Sequence, residues 1–332
     1  MATYDYTESQ FSDVLDGTAA FSVEERDSIL TALERAGVFT SGSTAGTLIR
    51  AVTLPSGPSG PGEEAVLYTG SPAAPVNVPS SDHAVIYASN DDITATINTT
   101  GGMVFVTGDG NDHVTSTGTS NDYLIVNDGQ NYVDAGAGSD TVIAGSGDDT
   151  VYGGAGNDSI EGGNGSNYID GGNGNDTLVA GDGDDTILGG GGDDHINAGN
   201  GDNIITDLSG ANYIVSGDGW DSITAGTGND TIYGGGGNDT IIAGAGADYV
   251  HVGAGNSSVS GGSGNDTFYI EGLGSDTISG GSGTDRLYVE SHNSTDITSS
   301  ATVSGVTTVT FSNGDTLTYS GVESVIYHNE PH

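Results

Sequence analysis

The chain has no lysine and no cysteine, and its only arginines are Arg26, Arg35, Arg50 and Arg286. Against 46 acidic residues this leaves a formal charge of −42 over 332 residues. With almost nothing to neutralise phosphates, nucleic-acid binding is excluded, and attraction to an anionic membrane surface goes with it. The missing cysteines rule out a disulfide framework and thiolate metal sites. No stretch approaches the 18 or so consecutive apolar residues that a membrane-spanning helix needs. The first residues, MATYDYTESQFSDVL, lack the basic and apolar regions of a Sec-type signal peptide. The seven histidines never take the HExxH spacing of a zinc protease. Low hydrophobicity with high net charge is a composition typical of disorder. The periodicity of the chain argues against that reading.

What the chain has in excess is glycine, 59 residues of it. From Val126 to Tyr269 the sequence divides into 16 nonapeptides without insertion. Glycine holds position four in all 16 and position two in 14, failing only at Asn127 and Leu208. Position eight is aliphatic or Phe throughout, from Val133 to Phe268, and position six is Asp in 11 units, Asn in four and Ser in one. Four further units, 107–115, 117–125, 271–279 and 280–288, fit with single-residue slips. A fixed period of this kind marks a solenoid or array.

Each position has a physical reading. Positions one to six are turn chemistry, with glycine supplying positive φ and close backbone approach. Positions seven to nine, such as Thr150-Val151-Tyr152, form a short strand. Alternation then turns Val151, Ile160, Leu178 and Ile187 inward and Thr150, Tyr152, Ser159 and Glu161 outward. Two nonapeptides make one coil of 18 residues, and stacked coils make two parallel sheets. One core residue in nine, among repelling carboxylates, is too little to offset chain entropy, so a cation must supply the folding free energy. Carboxylate and carbonyl oxygens in a flexible turn suit calcium. Magnesium prefers a strict octahedron, and zinc wants His or Cys.

The units GGAGNDSIE at 153–161 and GGGGNDTII at 234–242 resemble the GGxGxDxUx repeat of RTX proteins. The resemblance covers about 107–288 and implies an all-β, right-handed parallel β-roll, a β-solenoid, that binds several calcium ions. It also implies that each ion lies between turns 18 residues apart. One turn gives the carbonyls of positions two and four and its Asp; the next gives the carbonyls of positions one and three and its Asp. Gly154, Gly156 and Asp158 would thus pair with Gly171, Asn173 and Asp176. Carried along the chain, the implied carboxylates are Asp112, Asp122, Asp140, Asp149, Asp158, Asp176, Asp185, Asp194, Asp221, Asp230, Asp239, Asp248, Asp266, Asp276 and Asp285. The implied carbonyls include those of Gly136, Gly138, Gly145, Gly147, Gly154, Gly156, Gly171, Gly172, Gly174, Gly181, Gly183, Gly190 and Gly192. Further along they include Gly217, Gly219, Gly226, Gly228, Gly235, Gly237, Gly244, Gly246, Gly262, Gly264, Gly281 and Gly283.

Position six forms two columns, one per side of the roll. The first runs from Asp122 to Asp285 and departs from Asp only at Asn212; the second is interrupted at Asn131, Asn167, Asn203 and Ser257. In the second, only Asp221 and Asp239 are neighbouring aspartates among the unbroken units. Fewer anionic ligands weaken a calcium site, so the first column is expected to fill at lower calcium.

The ends read differently. Residues 1–50 are expected to be a small helical N-terminal module, with helices in TESQFSDVL and over 22–36, where Ser22 and Glu25 form a capping-box pattern and Gly37 a stop. Residues 51–81, rich in Pro, Gly and Ser, read as linker. The roll is placed at 82–290, beginning with degenerate coils at 82–106. Residues 291–332 read as a C-terminal β cap and a type I secretion signal, with a hairpin at Asn313-Gly314.

No catalytic constellation emerges, and an enzyme is not expected. The leading functional expectation is a secreted, calcium-binding structural protein of a bacterial surface or extracellular matrix: a surface-layer, biofilm-matrix or filament subunit. Its partners would be copies of itself and, during export, type I secretion machinery. The alternative is a monomeric adhesin-like or carbohydrate-binding module, contacting cell-surface polysaccharide through Tyr132, Tyr168, Tyr213, Tyr233, Tyr249 and Tyr269.

Overall fold

A computed structural model of the chain describes Tyr4–Tyr6, Thr47–Val52, Ala65–Tyr68, 75–78, Ala84–Tyr87 and 90–328. The helices expected at 7–15 and 22–36 lie outside the described residues. Tyr4–Tyr6 and Thr47–Val52, which flank them, form an antiparallel strand pair. The chain divides into two compact units, Met1–Gly171 and Gly172–His332.

In the first unit one sheet runs through Ala65–Tyr68, Ala84–Tyr87, Val104–Val106, Tyr123–Ile125, Thr141–Ile143 and Ser159–Glu161, all parallel. The other runs through Val76–Val78, Thr94–Ile97, His113–Ser116, Tyr132–Asp134 and Thr150–Ala155, also parallel. Sequence-adjacent strands therefore alternate between sheets, as a coil of turn, strand, turn, strand demands. The register is the 18-residue repeat itself, with Val133 opposite Val151 and Val142 opposite Ile160. Two of these strands, Ala65–Tyr68 and Val76–Val78, fall inside the stretch read from its proline and glycine as linker. That reading weighed the breakers and passed over the short runs AVLY and VNV between them.

The second unit repeats the pattern. One sheet orders Thr177–Asp182, His195–Asn200, Tyr213–Val215, Thr231–Tyr233, Tyr249–His251, Thr267–Ile270, Arg286–Val289 and Ser324–Tyr327 in parallel. The other orders Thr186–Gly191, Ile204–Thr206, Ser222–Thr224, Thr240–Ala245, Ser258–Ser263, Asp276–Ser282 and Thr316–Ser320. Val306–Phe311 and Ile297–Val303 then extend that second sheet antiparallel. The turn between these last two strands, Ser304-Gly305, has positive φ at both residues (52° and 82°), the requirement of a tight two-residue hairpin.

Position eight is fully or almost fully buried in every repeat, Val151, Ile160, Leu178 and Ile187 included, while Thr150, Tyr152 and Ser159 are half-buried and Glu161 is exposed. The core is larger than one residue in nine. Position one is buried as well, and it carries Val126, Ala135, Ala144, Ala180, Ala198, Ala225, Ala243 and Val252. At Gly153 the neighbouring carboxylate excludes a side chain: a Cβ there would stand 2.6 Å from Asp158 Oδ2.

Candidate metal centre

The turns are built by two interlocking ladders. In the first, Oδ1 of each position-six residue accepts the backbone N–H of the position-six residue one coil earlier. Examples are Asp140 N–H to Asp158 (2.7 Å), Asp230 N–H to Asp248 (2.9 Å) and Asp248 N–H to Asp266 (3.1 Å). Asparagine and serine keep this bond: Asp185 N–H reaches Asn203 Oδ1 at 3.0 Å and Asp239 N–H reaches Ser257 Oγ at 3.1 Å. In the second ladder a position-five Asn or Asp accepts the position-five N–H of the next coil, as Asn229 does from Ala247 and Asp202 from Trp220, both at 2.8 Å. This explains the recurrent Asn-Asp pair, which the repeat pattern alone left without a role.

The remaining carboxylate oxygen is the informative one. Asp112, Asp140, Asp149, Asp194, Asp221, Asp230, Asp239, Asp248, Asp266 and Asp285 each bury Oδ2 with no hydrogen-bond donor. Burial pushes the carboxyls of Asp140 and Asp149 up to about 7, and those of Asp112, Asp230, Asp239, Asp248 and Asp266 up to about 6. Asp276 is likewise pushed up to about 6 by burial, with Asp315 adding to it. Rows of buried, donorless carboxylates are costly unless a cation meets them. Asp122 differs: its Oδ2 accepts the Ser116 hydroxyl at 2.7 Å.

Backbone carbonyls face the same gaps. Gly237, at position four, has φ 135°, and a Cβ there would overlap the carbonyl oxygen of Gly219 one coil earlier. Gly156 stands in the same relation to the Gly138 carbonyl, and Gly154, at position two, to that of Gly136. Glycine is therefore required where the preceding coil aims an oxygen at the next. Among the described residues no three His, Cys, Asp or Glu side chains converge on one point, so a bound ion takes its remaining oxygens from the main chain. Carboxylate and carbonyl oxygens without nitrogen or sulfur are the donor set of calcium. The residues present fit that ion.

Three asparagines of the second column use their carboxamides differently. Asn203 Nδ2 donates to the carbonyls of Gly201 (3.0 Å) and Ser216 (3.3 Å). Asn131 Nδ2 donates to those of Asn127 (2.9 Å) and Ala144 (3.2 Å), and Asn167 Nδ2 to those of Gly163 (3.2 Å) and Gly165 (3.3 Å). These are position-two and position-four carbonyls of the same turn and position-one carbonyls of the next. A neutral amide thus joins the oxygens that a cation would otherwise join.

Stacked parallel coils, glycine turns that direct carbonyls along the stack, and buried carboxylates lacking donors define a calcium-binding β-solenoid. The family model of the RTX calcium-binding nonapeptide repeat matches overlapping windows from 106 to 269 and again over 272–293. The chain belongs to that family, and its repeats bind calcium, several ions to an array. No curated protein matches the chain.

Two features of the sites carry no motif signal. Glu323, in the C-terminal cap, accepts the Asp285 N–H at 2.6 Å and so takes the place of the next position-six residue. Asp207 sits at position one, fully buried, where every other unbroken repeat has a neutral residue.

Proposed function

We propose that the protein is an exported, non-catalytic structural component of a bacterial surface or extracellular matrix, folded by calcium and self-associating in it. The observation that carries the reading is the strand Ile297–Val303, at the edge of its sheet among the described residues. Its sequence, ITSSATV, has no charge and no proline, and six of its seven residues are exposed. Its one irregularity is a bulge at Ile297–Ser299, at the start of the strand; from Ser299 to Val303 the pairing is regular, without the charge or proline that soluble proteins usually place on such an edge. An open, uncharged edge supports strand addition by a second copy. Calcium also lowers the repulsion that a charge of −42 imposes on any association. Export is supported by the family's association with secreted proteins. None of the described helices is long and apolar enough to cross a membrane.

The glycan-binding alternative draws on a real feature. His195, Tyr213, Tyr233, His251, Tyr269 and Tyr288 form one continuous ring ladder with centroid spacings of 4.4 to 5.5 Å. Tyr132, Tyr152 and Tyr168 form a shorter one with His113. In both, the rings turn toward one another. A sugar stacks on an open ring face; from Tyr233 through His251 and Tyr269 to Tyr288 the rings stack nearly parallel and cover one another, which favours cross-strand stabilisation there, while Tyr213 and Tyr249 are exposed.

The test is light scattering and electron microscopy of the purified chain in chelator and in millimolar calcium, beside the double variant Ser300→Lys, Thr302→Lys. The proposal expects calcium-dependent assembly that the two lysines suppress. A parent that stays strictly monomeric in calcium sinks it.

A further inference from the structure

The turn at 207–212 breaks the motif three times. Position one is Asp207, position two is Leu208 and position six is Asn212. Leu208 does not take the positive φ that glycine has at this place; among the described residues only Asn127 and Ser304 do so without being glycine. Taken singly, each departure weakens a calcium site. Taken together they preserve its charge.

We propose that Asp207 is a calcium ligand outside the nonapeptide motif, holding an ion with Asp194 between the turns 189–194 and 207–212 in place of the carboxylate missing at Asn212. The inference rests on the calcium reading of the repeat and adds a residue that the repeat does not predict. Its basis is geometric. Asp207 is fully buried, and its Oδ2 has no donor; the same holds for Asp194 Oδ2. Both oxygens converge over Gly189, whose missing Cβ would overlap Asp207 Oδ2 and stand 2.9 Å from Asp194 Oδ2. That Gly189 has no side chain leaves the space for them.

The rest of the surroundings agree. Asn212 keeps the structural half of the position-six role, since its Oδ1 accepts the Asp194 N–H at 3.0 Å. It cannot supply charge, and its Nδ2 is buried without a partner, unlike the carboxamides of Asn131 and Asn203. The groups facing Asp207 are the carboxylates Asp194 and Asp230 and the Ser209 N–H, which donates to its Oδ1 at 3.3 Å. The Ser209 hydroxyl donates to the Gly190 carbonyl at 3.3 Å. Each Oδ1 is held by one backbone N–H, that of Asp176 on Asp194 at 2.7 Å and that of Ser209 on Asp207 at 3.3 Å, while the two buried Oδ2 atoms have no donor and form an anionic pair that a divalent oxygen-seeking cation matches. Every other position-one residue in the unbroken repeats is Gly, Ala, Val or Ser, so an acid here is not required by the stack.

The experiment counts calcium ions on the full chain by native mass spectrometry and follows folding by circular dichroism across a calcium titration. Asp207→Asn is nearly isosteric and removes repulsion, so it keeps the chain foldable. It is expected to bind one ion fewer than the parent. Adding Asn212→Asp to it restores the motif carboxylate and is expected to recover the lost ion. An unchanged ion count in Asp207→Asn overturns the proposal and leaves the calcium reading of the other turns intact. So does a loss that Asn212→Asp fails to repair, which would mean a packing role for Asp207. A parent that binds no calcium at all overturns both.

Discussion

Replacing Asn203 with Asp should convert a turn closed by an amide into one closed by an ion. In the parent, Asn203 Nδ2 holds the Gly201 and Ser216 carbonyls at 3.0 and 3.3 Å. A carboxylate cannot donate, so both bonds are lost. At about 1 kcal/mol net for each neutral hydrogen bond, the calcium-free fold should lose about 2 kcal/mol. Repulsion adds to this, because the new charge lies between Asp185 and Asp221 in its column. The Oδ1 bond from the Asp185 N–H, 3.0 Å in the parent, is retained. With calcium at about 100 times the dissociation constant of the new site, binding returns about 2.7 kcal/mol. The variant is therefore expected to be less folded than the parent at low calcium and to match or exceed it at saturation. Native mass spectrometry should find at least one additional ion. Asp221→Asn is the converse, removing one carboxylate from the only paired turns of that column, and should bind one ion fewer. An Asn203→Asp chain with the parent's ion count and the parent's calcium midpoint would show that the amide does not stand where an ion would bind.

Two further outcomes are expected. In chelator, the raised carboxyls favour folding under acid. Their folded values of about 6 to 7 lie above the ordinary 3.8, so the folded chain binds the extra protons. That contribution is complete below about pH 4 and is lost as the pH rises through 6 to 7; circular dichroism of the chelated chain should show more β signal at pH 4.5 than at 7.5, and equal spectra would refute it. Ile160→Asp buries a charge at position eight and should raise the calcium needed for folding steeply, on the order of 3 kcal/mol or more, whereas Glu161→Ala on the exposed face should shift it by less than about 0.5 kcal/mol; comparable shifts would mean that the faces are reversed.

The stacking register was legible in the sequence because one period controls everything in it. A position-eight aliphatic every nine residues and a glycine at position four leave only one way to stack, and Val133 against Val151 and Ile232 against Val250 follow. What stayed hidden was whatever depends on the third dimension of the stack. Position one reads as turn because it is often glycine, yet it faces inward beside a carboxylate oxygen, and Val126 and Val252 add to the core there. The position-five ladder links residues one coil apart, so Asn229 and Ala247 have no visible relation in a single unit. The Ser304-Gly305 turn and the Glu323 cap lie beyond the last repeat, where no period guides the reading. Asp207 was passed over for the opposite reason: inside the repeat, a motif read by its matches hides a compensated mismatch.

The two oxygens of position six explain which substitutions the array tolerates. Oδ1 is structural. It accepts a backbone N–H from the preceding coil, and aspartate, asparagine and serine all supply it, at 2.7 Å from Asp158, 3.0 Å from Asn203 and 3.1 Å from Ser257. Oδ2 is electrostatic, and only aspartate leaves it charged and without a donor. The stack can therefore lose an ion without losing a rung, provided that something neutral occupies the gap. Asn203 does this with its own amide. Asn212 does not, and there a carboxylate has been placed at position one instead. A column of fixed rungs with separable ions lets the calcium requirement vary from turn to turn while the register stays the same. The first column, with aspartate at Asp230, Asp248, Asp266 and Asp285 in succession, is then expected to tie its folding to calcium more tightly than the second, where amides and a serine stand between the charges.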